Sequence, residues 1–213
     1  REHVFMSTQF RLVPLSDATD IEEFAEKTIP DATRDDIGTK EIGGVLNSIY
    51  LLTVRTNHEQ QKIVVKKFRD WAGFKWFPLA LWAVGTKSFA VLGKSRLERE
   101  YALNQYLLNK GLNVPRILHI SPKQHLIFQE FVEGKTLAET IKSAVSEQGG
   151  TSEEFELVKE AGRQIAKVHQ LGVGLGDCKP ENIIVTKDGR LYFIDLEQSS
   201  RDGDQPWEIA EFL

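Results

Sequence analysis

Apolar positions alternate or cluster in short runs through the first half of the chain and recur at helical spacing in much of the second. Residues 40–55 (KEIGGVLNSIYLLTVR) predict two strands broken at Gly43-Gly44, and the β-branched run 62–68 (KIVVKKF) predicts another. Residues 116–120 and 125–132 add two more strands. Between them, residues 95–110 (SRLEREYALNQYLLNK) open on a Ser cap and carry Leu97, Tyr101, Leu103, Leu107 and Leu108 at roughly helical spacing, with Gly111 as the stop. A short acidic helix is predicted over 19–28, capped by Thr19 or Asp20 and ended by Pro30. Gly134 begins a more helical half and reads as a hinge. In that half, Thr151 and an acidic first turn open a helix over 151–171. Strands at 182–186 and 190–195 follow, joined by the turn Lys187-Asp188-Gly189.

Composition narrows this picture modestly. The chain has 213 residues, 41% hydrophobic and 27% charged, which suits one domain or two small lobes and excludes wholesale disorder. A single cysteine, Cys178, excludes an internal disulfide framework and a multi-cysteine metal site. His3, His58, His119 and His125 show no ligand spacing. No apolar run reaches the ~18 residues of a membrane-spanning helix, and no secretory signal is readable, so a cytoplasmic setting is expected. The chain starts at Arg1 and not at Met, which is read as a start that is trimmed or lies outside these residues.

The net charge of −4 conceals a layout. Residues 16–41 hold nine acids against three bases, residues 55–116 twelve bases against four acids, and residues 117–213 seventeen acids against ten bases. A basic stretch facing an acidic one suits a polyanion and its metal. Simple variation of surface charge along the chain explains the same numbers.

The strongest chemical signal is Gly176-Asp177-Cys178-Lys179-Pro180-Glu181-Asn182, followed by Ile183-Ile184-Val185 and then Phe193-Ile194-Asp195. It reads Asp-x-Lys-Pro-x-Asn, a two-stranded hairpin, and a second Asp thirteen residues after Asn182. Phosphoryl transfer needs such a set: a carboxylate to orient the attacking hydroxyl, a cation for the moving phosphoryl group, and an amide plus a carboxylate for Mg²⁺. A polar turn alone accounts for Asp, Pro and Asn, but not for an Asp that closes an apolar strand.

These residues resemble the protein-kinase-like superfamily, whose pattern is His-Arg-Asp-Leu-Lys-Pro-Glu-Asn followed by Asp-Phe-Gly. Here Leu175 and Gly176 precede Asp177, and Asp195-Leu196-Glu197 stands in the second motif. The resemblance covers roughly residues 42–213. It implies an α+β, bilobal fold: an antiparallel β-sheet N-lobe with helix C, then a mainly helical C-lobe. The expected division is an acidic extension (1–41), an N-lobe (42–133) and a C-lobe (134–213). The resemblance makes Asp177 the catalytic base or orienter, Lys179 the γ-phosphate contact, and Asn182 and Asp195 the metal ligands. Ile63-Val64-Val65-Lys66 is similar to the strand whose Lys holds the α- and β-phosphates. Glu98 and Glu100 are both candidates to pair with Lys66, and the resemblance of the spacing to Gly111 and Pro115 to that of the KEOPS-complex kinase favours Glu100. Gly43-Gly44-Val45-Leu46-Asn47-Ser48 stands where the nucleotide-covering loop belongs, with Gly44 as its retained glycine and the Ser48 hydroxyl assisting backbone N–H groups. In the linker Phe128-Gln129-Glu130-Phe131-Val132, Glu130 and Val132 would meet adenine through backbone groups, with Gln129 at the back of the pocket. His169 and Cys178 are read as packing residues.

Only Leu196 to Gly203 separate Asp195 from Asp204, Pro206 and Trp207, which leaves no room for a long activation segment or a peptide-docking platform. This short end is similar to the atypical branch: the KEOPS-complex kinase, the RIO kinases, and the sugar, lipopolysaccharide and aminoglycoside kinases. Size and the 95–115 spacing best resemble the KEOPS type. The implied activity is an atypical serine/threonine kinase, or an ATPase, using ATP and Mg²⁺ (Mn²⁺ as the alternative ion). A small-molecule kinase and a nucleotide-binding scaffold in a larger complex are the alternatives. Residues 68–95 hold Trp71, Trp76, Phe77 and Trp82. Three readings stay open for them: a packed insertion, a docking patch for a protein partner, and an interfacial or lipid contact. The basic stretch 55–116 has the charge to touch a nucleic-acid backbone, but no recognition motif accompanies it.

Overall fold

The computed structural model describes residues 13–43, 48–56, 59–68, 96–146, 150–196 and 200–201. The chain divides into two compact units, residues 1–71 with 116–131, and residues 72–115 with 132–213. Gly44, the aromatic segment with Trp71, Trp76, Phe77 and Trp82, and Asp204 lie outside the described residues, as does most of the chain after Leu196.

In the first unit, α1 (Ile21–Thr28) is followed by β1 (Ile37–Gly43), β2 (Ser48–Arg55), β3 (Gln60–Lys67), β4 (Ile117–Ser121) and β5 (Leu126–Glu130). The five strands form one antiparallel sheet in the order β1-β2-β3-β5-β4. Asp20 caps α1 by accepting the Glu23 N–H at 2.8 Å, and Glu22 and Glu23 complement the dipole of its first turn. That helix is part of the unit's core. Its Phe24, Ala25 and Ile29 are buried with Leu52, Val54, Ile63, Val65, Leu126 and Phe128 on one face of the sheet. The Phe24 and Phe128 rings stack at 4.1 Å between centroids. The sheet reaches back to Ile37, five residues before the expected start of the N-lobe, because β1 pairs with Ile49–Val54 of β2.

The second unit contains α2 (Arg96–Asn109), β6 (Lys135–Thr136), α3 (Leu137–Ala144), α4 (Ser152–Gln170), β7 (Val173–Gly174), β8 (Ile183–Val185), β9 (Leu191–Phe193) and β10 (Ser200–Arg201). Strands β6, β8 and β9 make a small antiparallel sheet, and β7 pairs with β10. Two capping boxes start the later helices of this unit, Thr136 with Glu139 for α3 and Thr151 with Glu154 for α4. α2 ends in a Schellman turn: Gly111 at φ 76° donates to Leu108 O at 3.0 Å, and Leu112 to Leu107 O at 3.0 Å. Leu107 and Leu112 enter a core that also holds Leu137, Ile165, Val168, Leu175, Ile183 and Phe193. Cys178 is buried in the same cluster, as a small apolar filler would be.

The architecture is therefore α+β, an antiparallel sheet unit and a helix-rich unit, as the kinase-like resemblance implies. Gly134 is fixed by packing: a Cβ there would lie 2.3 Å from Val185 O and 2.7 Å from Ile184 Cγ2. That contact lets β6 pair with β8 directly after the linker.

Candidate active site

Residues 171–182 are shaped by three local devices. Gly172 (φ 70°) ends α4, Gly176 (φ 82°) turns the chain, and Pro180–Asn182 form one turn of 3-10 helix. The turn is closed by the Asn182 N–H donating to Lys179 O at 2.9 Å. Asp177, Lys179 and Asn182 thereby converge. Lys179 Nζ lies 2.9 Å from Asp177 Oδ2, and Asn182 Nδ2 donates to Asp177 O at 3.0 Å and to Asp177 Oδ2 at 3.1 Å. Asp177 is mostly buried, its side chain 15% exposed, while Lys179 is about half exposed.

Asp195 arrives from the other strand of the hairpin. β9 pairs with β8, and the Ile194 N–H then donates to Asn182 O at 2.9 Å. Asp195 itself has φ 61°, in the left-handed region that costs an L-residue about 1–2 kcal/mol. Backbone held in that region by surrounding structure clusters at functional sites. Asp177, Lys179, Asn182 and Asp195 line one pocket, floored by Leu175, Cys178, Ile183, Phe193 and Leu196.

This donor set fits a hard divalent cation. Asn182 commits its Nδ2 to Asp177, so its Oδ1 is the atom offered elsewhere, and Asp195 adds a carboxylate. Among the described residues no group of three or more His, Cys, Asp or Glu forms a metal cage. Mg²⁺ is usually held by one or two carboxylates, with substrate phosphates and waters completing the shell, and an amide oxygen is a compatible hard donor.

Within the first unit, Lys66 on β3 is 4% exposed, whereas Lys67 is exposed. A buried ammonium costs several kcal/mol unless it is compensated. The register puts Lys66 opposite Ile127 and Val64 opposite Gln129, so Lys66 and the buried Gln129 share a face of the sheet. Ser48 pairs with Lys67 and Glu130 with Ile63, so both side chains lie on the opposite face. Glu130 binds Arg116 there, Oε2 to Nε at 3.2 Å, and its N–H donates to Arg116 O at 2.9 Å. Val132 follows the end of β5. In the second unit, Glu100 on α2 is 1% exposed. Its neighbour Tyr101 has its phenol pushed up by burial.

One residue that sequence reasoning passed over is Asn113, whose Nδ2 donates to Leu191 O at 3.2 Å and whose carbonyl accepts the Phe193 N–H at 3.0 Å. An Asn between Gly111 and Pro115 reads as ordinary loop chemistry, and only the fold brings it to β9.

Residues 54–208 match the lipopolysaccharide kinase (Kdo/WaaP) family. The chain belongs to this family. The Kdo/WaaP span takes in β3, α2 and the whole Asp177–Asp195 hairpin, and leaves α1, β1, Gly44 and Ser48 before it. The KEOPS complex subunit Bud32 of Pyrococcus abyssi (strain GE5 / Orsay) is 34% identical over 105 residues, which are 49% of this chain and 45% of that relative. The chain thus spans less than half the length of the curated relative it matches. Both similarities lie within the atypical protein-kinase-like superfamily. Among the described residues of this Kdo/WaaP-family chain, no helix is long and apolar enough to cross a membrane.

Proposed function

We propose that the chain is an ATP-dependent phosphotransferase that moves the γ-phosphate onto an alcohol, with a protein Ser or Thr hydroxyl as acceptor. The observation that carries this reading is the convergence of Asp177, Lys179, Asn182 and Asp195 on one pocket. In the reaction the acceptor oxygen bonds to the γ-phosphorus, the bond to the β–γ bridging oxygen breaks, and ADP departs. Asp177 orients the hydroxyl and takes its proton. Lys179, already beside that carboxylate, offsets charge on the moving phosphoryl group. Asn182 and Asp195 would hold Mg²⁺, with Mn²⁺ as the alternative ion. When bound, the ion neutralises charge on the β- and γ-phosphate oxygens.

The remaining roles are proposed on the same basis. Lys66 takes the α- and β-phosphates, with Glu100 as its counter-charge. Backbone N–H groups of the Gly44 loop cover the phosphates, with the Ser48 hydroxyl assisting. Gln129 backs the adenine pocket, and the Glu130 carbonyl and Val132 backbone meet the adenine edge. A protein partner is proposed because Bud32 is named as a complex subunit and because Trp71, Trp76, Phe77 and Trp82 are concentrated in one segment.

The Kdo/WaaP match favours a second acceptor, a sugar hydroxyl of a lipopolysaccharide-like molecule. Labelled ATP offered with protein acceptors, sugars and water alone separates the readings. Transfer or hydrolysis lost in Asp177→Asn supports the phosphotransferase, and the labelled product names the acceptor. Equal turnover in the variant and the parent would remove Asp177 from the mechanism. Absence of a thermal shift with millimolar Mg-ATP would defeat nucleotide binding itself.

A further inference from the structure

The geometry points to Asn113 as a positioning residue that sets the backbone of Asp195 for metal binding, an inference that rests on the assignment of Asp195 as an ion ligand. β9 is an edge strand: β8 lies on one side, and Asn113 bonds to its other side. Asn113 bonds there twice, with its side-chain Nδ2 to Leu191 O and its own carbonyl to the Phe193 N–H. One residue further, the Ile194 N–H turns back to Asn182 O at 2.9 Å. The strand is thus gripped from both sides just before Asp195 enters its left-handed conformation at φ 61°. Such a conformation persists only where neighbours over-determine it.

Asn113 can serve as a fixed clamp because its own segment is held at both ends. On one side the Schellman turn at Gly111 closes α2, and Leu112 is buried. On the other, Val114 is 1% exposed, and the buried Asn104 of α2 donates from Nδ2 to Pro115 O at 2.7 Å. The clamp therefore runs from α2, which also carries the buried Glu100, through Asn113 to the strand that ends at Asp195. Leu191, Phe193 and Leu196 are buried, so β9 does not depend on Asn113 to find its place in the core, only for its exact set.

The test uses the full chain and reads Mn²⁺ binding by electron paramagnetic resonance, with a non-hydrolysable ATP analogue present. Asn113→Ala removes the side-chain bond, and Asn113→Asp keeps the shape but loses the donor. Both are expected to raise the Mn²⁺ Kd about tenfold, the scale for partners that orient metal ligands. Metal-free nucleotide affinity stays within twofold, and exchange of the Ile194 amide is accelerated. Thr151→Ala, which removes the α4 cap far along the chain, controls for general destabilisation and leaves the Mn²⁺ Kd unchanged. Parental Mn²⁺ affinity in both Asn113 variants overturns the proposal, as does failure of both to fold, which makes the residue structural. Asp195→Ala separates the two claims. If it abolishes Mn²⁺ binding while the Asn113 variants do not alter it, the clamp alone fails. If Asp195→Ala also binds as the parent does, the ion-ligand assignment falls and takes the clamp with it.

Discussion

The main-chain N–H of Ile194 donates to the carbonyl of Asn182 at 2.9 Å, so the residue before one proposed ion ligand is bonded to the backbone of the other. Asn182 also donates from Nδ2 to Asp177, which puts it at the junction of the proposed base and the proposed ion. The two duties can be separated. Asn182→Ala removes both and should raise the Mg²⁺ concentration for half-maximal turnover about tenfold or more. Asn182→Asp keeps an oxygen for the ion but sets a second carboxylate against Asp177. It should restore much of the Mg²⁺ dependence and little of kcat. Metal titrations of labelled phosphate transfer check this, and matching kcat values in parent and Asn182→Asp would show the amide donor to be dispensable.

Two glycine-to-alanine substitutions should move stability in opposite directions. At Gly134 a Cβ would meet Val185 O at 2.3 Å, and backbone cannot yield as a flexible side chain can. Overpacking of this kind costs about 1–3 kcal/mol. Gly162 lies inside α4 with nothing within 4 Å of an added Cβ. Alanine there should gain up to about 1 kcal/mol from helix propensity. Urea unfolding midpoints decide both, and a Gly134→Ala midpoint at or above the parent's would contradict the close approach.

How much was legible follows from how local each signal is. α1 and α4 show in the sequence because Asp20 and Thr151 cap them and their apolar residues recur at helical spacing. Gly111 marks the end of α2 because a Schellman turn asks for positive φ. The Asp177–Asp195 constellation was readable because a hairpin joins its parts within nineteen residues. α3 is only eight residues, too short for its periodicity to stand out, and only the Thr136–Glu139 box announces it. The docking of α1 was hidden because Phe24 meets Phe128 from more than a hundred residues away. Which face of the sheet Ser48 occupies is set by strand register, which pairs it with Lys67, and no local pattern announces that. Asn113 was missed for the same reason: its partner strand is 78 residues on.

Acid should destabilise the packing of α1 on the sheet through His119. Its ring lies against Phe24 and Phe128, at 6.2 and 5.8 Å between centroids, and its Nε2 meets Ser16 O at 3.1 Å. Burial is the largest influence and pushes its pKa down, against the Ser16 carbonyl and the Glu23 charge, which favour the cation. A histidine with a depressed folded pKa stabilises fully above its unfolded value of about 6.5, and that contribution is lost as pH falls through the lower, folded value. Unfolding midpoints between pH 7 and 5 should therefore decline more steeply for the parent than for His119→Gln. Identical slopes would show that His119 does not contribute.

Asp177, Lys179 and Asn182 form one hydrogen-bonded set, so their effects on rate should not add. Asp177→Asn removes the carboxylate that orients and deprotonates the acceptor, and a loss of about 10²- to 10⁴-fold in kcat is the usual scale for such a group. Lys179→Ala removes the cation 2.9 Å from that carboxylate and should itself slow transfer markedly. Once Asp177 is gone, however, the hydroxyl is no longer presented to the phosphorus, and Lys179 has no oriented reaction to assist. The double variant should then be scarcely slower than Asp177→Asn alone, as for groups that work as a unit. Single-turnover transfer of labelled phosphate from saturating ATP measures all four corners of the cycle. A double variant slowed by the full product of the single losses would mean that the two residues act independently, and that their ion pair has no part in the chemistry.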